Sequence, residues 1–340
     1  VMMWYEQEND NNIIISSRVR LARNLKEYPF YKFISNNQSE EMIEKVTKAI
    51  FNDRISSKDC FEKIDFSNLN KIKQYTMLEQ YVISNNFLES NKPKAIISEK
   101  NSNINIMINE EDHIRIQSIN SGYNIEKCFK EATRIDNLLE ESLSYAFDSQ
   151  YGYLTSCVTN VGTGLRASFM LYIPMLDKFG HIQSISESIA KFGMTLRGMH
   201  GEGSKAFGSI YQISNQITLG KTENEIIEDL KNITMQIVER EKNLRKILRE
   251  DKNLEIIDKI YRSYGIIKYC KKIKFEEAIN HLSNIWLGLD VNILDNNISK
   301  NMYNVIMNIQ SANIIDRFNI EEKDDIELYR AKYLNEVFNK

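Results

Sequence analysis

The residues best suited to chemistry lie in one stretch, Ser156–Met170, which reads SCVTNVGTGLRASFM. Within it, Gly162 and Gly164 permit a sharp turn or a close approach of the backbone to a ligand. Arg166 enters an apolar run, where a guanidinium is costly unless an anion or a carboxylate meets it. The stretch therefore predicts one half of a phosphate-binding site.

Several arginines elsewhere suit the other half of such a site. Guanidinium groups bind phosphate oxygens in pairs and stabilise the charge on a phosphoryl group during transfer. A solvated strand face remains the ordinary interpretation of two arginines on one strand. Taken together, the arginines at predicted strand or loop edges favour a nucleoside triphosphate, and they are Arg18, Arg20, Arg115, Arg166 and Arg197.

Two acids are candidates for handling the acceptor of a phosphoryl group. Glu111 lies in the acidic run Asn109–Asp112, before a strand that would place Glu111, His113 and Arg115 on one face. Glu202 lies in the glycine-rich loop of the segment MTLRGMHGEGSKAFG. The ordinary interpretations are a solvated turn and a simple loop. Beside a phosphate site, both carboxylates would instead hold the acceptor.

Two familiar nucleotide motifs are incomplete in this chain. Gly220-Lys221-Thr222 resembles the end of a P-loop, but Asn215 occupies the position of the required glycine. The segment Gly162–Ala167 matches G-x-G-x-x-A, but a strand rather than a helix is predicted after it. Neither motif supports a P-loop or a dinucleotide fold.

The hydrophobic period predicts the elements that must position these residues. Strands are predicted at 12–21, 94–98, 103–109 and 113–119, with Val19 and Leu21 facing away from the arginines of the first strand. Capping boxes at Ser184–Glu187 and Thr222–Glu225 predict helix starts, and further helices are predicted at 38–52 and 123–148. The fold class is therefore α+β, an antiparallel β-sheet flanked by helices, with an all-helical C-terminal domain.

Composition excludes several classes of protein. The net charge of −3 gives no basic field for direct nucleic-acid binding. The four cysteines contain no C-x-x-C pair, which argues against a zinc site or disulfide framework and is typical of a reducing cytosol. No apolar run reaches the length of a membrane span, and no signal-peptide pattern is present. We expect a cytoplasmic protein without a membrane partner.

Four segments resemble the signatures of the ATP:guanido phosphotransferases, the phosphagen kinase family. They read SSRVRLARN, NEEDHIRIQ, CVTNVGTGLRASFMLYIPML and RGMHGEGSKAFGSIYQISNQITLG, and they follow the order of the family. The resemblance is closest to its bacterial protein-arginine kinase branch, of the McsB type. It implies a loose N-terminus at 1–12, a phosphotransferase catalytic domain at 13–248 with a helical N-terminal part at about 38–90, and a helical dimerisation or regulatory domain at 255–340.

The resemblance also implies roles for single residues. Glu111 matches the catalytic carboxylate, Glu202 the carboxylate that holds the acceptor guanidinium, and Cys157 the active-site cysteine. Mg²⁺ would arrive with ATP rather than bind a protein cage of its own. The implied nucleotide-binding residues are Ser16, Ser17, Arg18, Val19, Arg20, Tyr81, Arg115, Arg166, Ala167, Ser168, Phe169, Met170, Arg197, Gly198, Met199, His200, Gly201 and Glu202.

Three departures from the family pattern stand out. Val158 replaces the proline that usually follows the cysteine, and Tyr81 stands where a histidine is expected. The phosphoarginine-binding motif R-D-x-x-R-A of the McsB C-terminal domain is degenerate here, because its first two positions are Ile326 and Glu327. Arg330 and Ala331 remain. We expect weakened or absent phosphoarginine activation through that pocket.

The resulting hypothesis is an ATP-dependent protein-arginine kinase of protein quality control and stress response, acting as a homodimer on proteins with exposed arginine. By resemblance its partners would include a heat-shock repressor, a Clp-type ATPase and protease, and a zinc-containing activator protein. One alternative is a phosphagen-type kinase for free arginine or another small guanidino compound. A second alternative is a non-catalytic regulator that binds phosphoarginine or nucleotide.

Overall fold

A computed structural model describes residues 3–7, 12–51, 60–199, 207–251, 253–295, 301–321 and 323–339. Its strands are β1 Ile14–Arg23, β2 Phe61–Ile64, β3 Ala95–Glu99, β4 Ile104–Ile108, β5 Ile114–Ser121, β6 Phe147–Asp148, β7 Gly152–Tyr153, β8 Leu165–Tyr172, β9 Met194–Gly198 and β10 Ile210–Asn215. Its α-helices are α1 Asn36–Ile50, α2 Lys71–Glu79, α3 Asn85–Glu89, α4 Ile125–Glu140, α5 Pro174–Lys178, α6 Ile182–Ala190, α7 Glu223–Asp251, α8 Leu254–Tyr269, α9 Phe275–Asp290, α10 Met302–Asn308, α11 Ser311–Phe318 and α12 Ile326–Phe338.

Eight strands form one sheet in the order β2-β3-β4-β5-β1-β8-β10-β9. The pairs β2–β3, β3–β4, β4–β5 and β5–β1 are antiparallel, which confirms the predicted sheet. In β1, Val19 and Leu21 are buried while Arg18 and Arg20 are partly exposed, as the period of two predicts. The register sets Arg20 opposite Gln117 and Ala22 opposite Arg115, so the arginines of β1 and β5 share one face.

The chain divides into two compact units. The first contains residues 1–7, 16–169 and 214–231. One of its cores packs Phe66, Phe87, Ile96 and Met107 between the short helices α2 and α3 and the sheet. The predicted strands at 94–98, 103–109 and 113–119 are confirmed there as β3, β4 and β5.

The second unit contains residues 8–15, 170–213 and 232–340. The region after residue 253 is helical, as predicted, from α8 to α12. Tyr172 stacks on Trp286 with ring centroids 4.0 Å apart, and Met175 packs with Leu248 and Leu287. The C-terminal helices thus share their core with residues 170–213, whereas the predicted bounds 13–248 and 255–340 stay a prediction.

Local signals at helix starts have mixed outcomes. At α7 the predicted capping box is present, because the Thr222 hydroxyl accepts from the Glu225 N–H and the Glu225 carboxylate accepts from the Thr222 N–H. The capping box predicted at Ser184–Glu187 is wrong. Helix α6 begins at Ile182, so Ser184 lies inside the first turn and donates to the His181 carbonyl oxygen.

The N-terminal residues differ from the expected loose start over 1–12. Trp4–Glu6 form a short 3-10 helix whose Trp4 and Tyr5 side chains are buried. The Trp4 indole N–H donates to the Gln80 carbonyl oxygen at 3.3 Å. Aromatic burial therefore orders this segment although its surroundings in sequence are polar.

None of the helices in the described ranges is both long enough and apolar enough to cross a membrane.

Candidate active site

Four of the five predicted arginines come together on the sheet of the first unit. Arg18 and Arg20 lie on β1, Arg115 on β5 and Arg166 on β8. Burial lowers the pKa of the Arg20 guanidinium well below its ordinary value, and repulsion from the other three arginines lowers it further. The Nε atom of Arg20 is buried and has no hydrogen-bond partner among the described residues. We call these four residues the arginine cluster.

The outer members of the arginine cluster are held by fixed acceptors. Arg115 pairs with Glu110 at 2.5 Å. Arg166 donates to the Asn215 carbonyl oxygen at 2.8 Å and to the Asn160 side-chain oxygen at 3.3 Å. Preoriented guanidinium groups around an unpaired buried donor suit an anion that carries several charges.

The acidic residues between β4 and β5 differ in burial and in their hydrogen-bond partners. Glu110 is buried and accepts from Arg115 and from the Ser84 hydroxyl. Burial alone would raise the pKa of Glu110, but these two partners more than offset it and the pKa lies below its usual value. Glu111 is partly exposed, and burial followed by repulsion from Glu110 and Asp112 raises its pKa. Of the three acids in the run, Glu111 is therefore the one best suited to accept a proton.

Glu111 also lies within electrostatic reach of the arginine cluster. The charges of Arg115 and Arg20 lower its pKa, against the larger effects that raise it. A carboxylate within reach of two of these guanidiniums would place an acceptor-binding group beside a phosphate-binding one. The sequence prediction that Glu111 and these arginines form one site is consistent with this geometry.

Asp112 fixes the loop of Cys157 to the acidic run. Its buried carboxylate accepts from the Ser156 N–H at 2.6 Å and from the Asn24 side chain at 2.7 Å. Burial raises the pKa of Asp112, while the two donors lower it. Because Glu111 precedes Asp112 and Cys157 follows Ser156, this hydrogen bond brings the candidate base and the candidate thiol to the same place.

Cys157 is partly exposed at the start of a one-turn 3-10 helix, Val158–Asn160. Its sulfur lies 3.1 Å from the Thr159 hydroxyl oxygen. Val158 is 83% exposed and occupies the first helical position, where proline is readily accepted. The backbone of this loop is therefore compatible with the proline of the family pattern.

Gly162 and Gly164 form the bend between the Cys157 loop and β8. Gly162 has φ +113°, and a Cβ there would lie 2.2 Å from the Thr218 carbonyl oxygen. Gly164 has φ +63°, and a Cβ there would lie 2.6 Å from the Ala22 carbonyl oxygen. Both glycines are thus required by close backbone approach, as the sequence indicates.

Tyr81 lies at the edge of the arginine cluster. Its ring centroid is 5.8 Å from the Arg18 guanidinium carbon, and its edge meets the Trp4 ring. Tyr81 has φ +62°, and its carbonyl oxygen accepts from the Gln117 side chain at 2.6 Å. An aromatic ring beside the guanidiniums is well placed to contact a nucleotide base.

Several implied nucleotide residues are buried in the sheet. The Ser17 hydroxyl donates to the Gly122 carbonyl oxygen at 2.7 Å and accepts from the Asn124 N–H, which ties β1 to the start of α4. The other buried members are Ser16, Val19, Ala167, Ser168, Phe169 and Met170.

His113 belongs to the scaffold instead of the acid and arginine face on which the sequence placed it. It is fully buried, its Nδ1 accepts from the Leu25 N–H at 3.0 Å, and its Nε2 lies 3.0 Å from the Pro29 carbonyl oxygen. Burial lowers its pKa to about 4. Both ring nitrogens are used by backbone, so the histidine is neutral and unavailable to a substrate.

The glycine-rich loop is only partly described. Arg197 and Gly198 end β9 and Met199 is buried, all in the second unit. The remaining predicted residues of this loop, His200, Gly201 and Glu202, lie outside the described residues.

Sequence reasoning missed the residues that support the site. Arg23 is fully buried, pairs with Asp136 at 2.6 Å and donates to the Thr163 carbonyl oxygen at 3.0 Å. Asn24 donates to Asp112, and Glu110 holds Arg115. Arg23 and Asn24 continue the segment SSRVRLARN, which was the available signal, but their partners lie far away in sequence.

The degenerate C-terminal motif lies in the second unit. Arg330 is buried and donates to the Ile309 and Ile273 carbonyl oxygens and to the Ser311 hydroxyl. Ala331 is buried, and the Glu327 carbonyl oxygen accepts from the Ile273 N–H. Arg330 and Glu327 thus anchor α12 to its neighbours, and Ile326 is the first residue of that helix.

Within the described ranges, no group of three or more histidine, cysteine, aspartate and glutamate side chains is arranged to hold a metal ion.

Comparison with known proteins gives two matches that together cover most of the chain. Residues 41–244 match the family described as ATP:guanido phosphotransferase, C-terminal catalytic domain. Residues 253–340 match the Protein-arginine kinase McsB C-terminal domain.

Similar curated proteins span nearly the whole chain. A protein-arginine kinase of Clostridium novyi is 41% identical over 98% of this chain and 97% of its own length. A protein-arginine kinase of Clostridium acetobutylicum is 39% identical over 96% of both chains.

Solved structures of similar fold are phosphagen kinases. The duplicated taurocyamine kinase of Schistosoma mansoni has a TM-score of 0.62 and 27% identity, and the match covers 70% of this chain and 34% of that one. A lombricine kinase has a TM-score of 0.61 over 69% of this chain and 68% of its own; at 22% identity this likeness concerns the fold.

Proposed function

The chain belongs to the ATP:guanido phosphotransferase family and carries the C-terminal domain of the protein-arginine kinases, and on that premise we propose that it transfers the γ-phosphoryl group of ATP to arginine side chains of proteins. The observation that carries the proposal is the arginine cluster with the unpaired Nε of Arg20, within electrostatic reach of Glu111.

The donor side is proposed to bind the phosphates of ATP. Arg18, Arg20, Arg115 and Arg166 offer guanidinium forks to the phosphate oxygens, and Tyr81 offers a ring to the base. Mg²⁺ would be held by the phosphates and water, and it would neutralise charge that develops between the β- and γ-phosphates. Arg197, at the end of β9 just before the glycine-rich loop, is a further proposed phosphate contact.

The acceptor side is proposed to hold the guanidinium of a substrate arginine. A free guanidinium keeps its proton at neutral pH and is a poor nucleophile. The Glu111 carboxylate would accept that proton as one acceptor nitrogen attacks the γ-phosphorus. The new N–P bond forms while the bond from the γ-phosphorus to the bridging oxygen breaks and ADP leaves. Glu202 is proposed to fork onto the same guanidinium, and Cys157 to orient it.

No covalent phospho-enzyme is needed in this scheme. The family's in-line transfer depends on positioning and on charge stabilisation. The hydrogen bond between Asp112 and Ser156 supports it, because one contact fixes both Glu111 and the Cys157 loop. Finer assignments also remain proposals: cytoplasmic location, a homodimer, a role in stress response and protein degradation, and partners of the heat-shock repressor, Clp and zinc-containing activator classes.

The test is transfer from ATP to a protein. Purified protein with Mg²⁺ and ATP is expected to place acid-labile phosphate on arginines of an unfolded casein-like substrate. Glu111→Gln should lower the rate by about 10²–10⁴-fold, the usual contribution of a general base, while nucleotide binding is kept. An undiminished rate would show that Glu111 is not the base.

The same assay separates the alternative of a small-molecule kinase. The structural likeness to taurocyamine kinase favours that alternative, because the name of that enzyme indicates a small guanidino compound as its substrate. Free arginine offered beside the protein substrate should remain unphosphorylated. Acid-labile phosphate on free arginine alone would overturn the protein-kinase assignment.

A further inference from the structure

A concave cleft of about 520 Å³ lies within the second unit and uses none of the residues of the candidate active site. Its lining includes four basic side chains of α7 and one acid, with Asn12 at its edge. These five charged residues are Lys242, Arg245, Lys246, Arg249 and Asp290. The volume falls within the range of about 300–1,000 Å³ that small-molecule pockets occupy. We call it the α7 cleft.

The spacing of the four cations concentrates like charge on one helix face. Lys242 is three residues from Arg245 and four from Lys246, and Arg249 is four from Arg245 and three from Lys246. Side chains at these separations are neighbours on a helix, and like charges there destabilise it. Arg245 is neutralised by acids, so an anion bound between Lys242, Lys246 and Arg249 would relieve the two remaining repulsive contacts, Lys242–Lys246 and Lys246–Arg249.

At the floor of the α7 cleft, the charge of Arg245 is already neutralised by acidic side chains. Arg245 is buried and donates to Glu241 at 2.8 Å, to Asp290 at 2.7 Å and to the Tyr172 carbonyl oxygen at 2.9 Å. Burial raises the pKa of Asp290 to about 7, against the opposing effect of Arg245. The one acid of the lining therefore directs its charge to Arg245, with which it is buried, rather than to the mouth of the cleft.

The mouth of the α7 cleft keeps its positive charge. Arg249 donates to the Asp290 carbonyl oxygen, a neutral partner. Lys242 pairs with Glu239 at 2.8 Å and Lys246 with Glu250 at 3.9 Å, but all four side chains are more than half exposed. Exposed ion pairs of this kind are weak and exchange readily. Three cations are thus available to a ligand.

We propose that the α7 cleft binds a phosphate-class oxyanion, either free inorganic phosphate or the phosphoryl group of a phosphorylated side chain. Arg249 supplies a planar fork for two oxygens, and Lys242 and Lys246 supply point charges that close over the anion. The room beyond a single phosphate accommodates the stem of a side chain.

The test is equilibrium dialysis of the full chain against radiolabelled inorganic phosphate. The background variant Arg20→Gln weakens competition from the arginine cluster, because it removes the central guanidinium of the four. On that background, Lys242→Gln/Lys246→Gln should weaken phosphate binding at least tenfold. Both lysines are exposed, so the fold should be unaffected, and circular dichroism checks this.

A charge-matched control uses exposed lysines of the same unit outside the cleft. Lys259→Gln/Lys271→Gln should leave phosphate affinity unchanged. Equal affinity of the cleft variant and this control would overturn the proposal.

A second arm distinguishes the two sources of phosphate. A short peptide with one phosphorylated arginine is compared with inorganic phosphate and with the unphosphorylated peptide. At least tenfold tighter binding of the phosphopeptide than of free phosphate, lost in the cleft variant, assigns a phosphorylated side chain. Equal binding of the two, again lost in the cleft variant, assigns the free ion.

Discussion

Two adjacent glutamates take different roles because one of them has a partner. Arg115 and Ser84 hold the pKa of Glu110 low, whereas burial and the neighbouring carboxylates raise that of Glu111. An acid whose ionised form is needed loses activity as the pH falls through its pKa. A raised pKa of Glu111 therefore moves the acidic limb of the rate profile to higher pH.

The substitution Glu110→Gln tests this difference between the two glutamates, and the dependence of the rate on pH is the measurement. Removing the Glu110 charge should lower the pKa of Glu111, so the acidic limb should move to lower pH. The maximal rate should also fall, because Arg115 loses its partner. Glu99→Gln, which breaks the ion pair with Arg134, is the control and should leave the limb in place. A limb at the same pH in all three proteins would contradict the coupling.

His113 predicts a pH dependence of folding stability. Its pKa is about 4 in the folded chain and about 6.5 when unfolded. The unfolded chain therefore binds a proton first, and stability present above pH 6.5 is lost as the pH falls towards 4. The loss should reach about 3 kcal/mol. Urea unfolding between pH 7.5 and 4 should show a shallower loss for His113→Gln than for wild type.

A matched control for this experiment is His181, which is exposed. His181→Gln should follow the wild-type dependence on pH. If His113→Gln and wild type lose stability in parallel, the histidine is not buried as a neutral ring.

The role of a residue can be predicted from sequence only where local signals determine that role. The arginines of β1, β5 and β8 were found because strand period and motif both mark them. The buried role of Glu110, and the neutral role of His113, could not be found, since each depends on a partner brought by folding: Ser84 for the acid and Pro29 for the histidine.

At the scale of elements, the shape of the site depends on close contacts between backbone segments. The bend of Gly162 and Gly164 lies against the Thr218 and Ala22 carbonyl oxygens. Strand period predicted β3, β4, β5 and β8 well. The capping box at Ser184 was wrong because α6 begins two residues before that serine.

Gly162→Ala is expected to disturb this bend strongly. The new methyl group would lie 2.2 Å from the Thr218 carbonyl oxygen, so the loop between β10 and α7 must shift. We expect a loss of phosphotransfer of at least tenfold and a lower melting temperature. Gly180→Ala is the control, since its φ is +72° but nothing lies within 4 Å of the new Cβ. Equal effects of the two substitutions would show that only backbone strain matters.

At the scale of the whole molecule, the C-terminal helices contribute to a core that sequence period alone could not reveal. Residues Tyr172 and Trp286 stack although they are far apart in sequence, and the Tyr172 hydroxyl donates to the Ser283 carbonyl oxygen at 2.5 Å. The helical pattern after residue 253 was predicted correctly. The C-terminal helices form one unit with residues 170–213, and this depends on long-range contacts that no local sequence signal encodes.

Trp286→Ala tests that shared core. Truncation of a buried Trp in a packed core costs about 3–5 kcal/mol, and the stack on Tyr172 would be lost with it. Chemical denaturation should show this loss in the second unit. Leu254→Ala is the control, because Leu254 is 78% exposed and its truncation should change stability by less than about 0.5 kcal/mol. A similar small change for Trp286→Ala would contradict the shared core.

The arginine cluster also determines how the protein interacts with the anions of its buffer. Guanidiniums that repel one another, around a donor without a partner, attract whichever counter-ion the buffer supplies. On the proposed function, ATP must then exchange with that ion, so its apparent affinity should be weaker in sulfate or phosphate buffers than in acetate at equal ionic strength. Rates from different laboratories become comparable only when the buffer anion is the same.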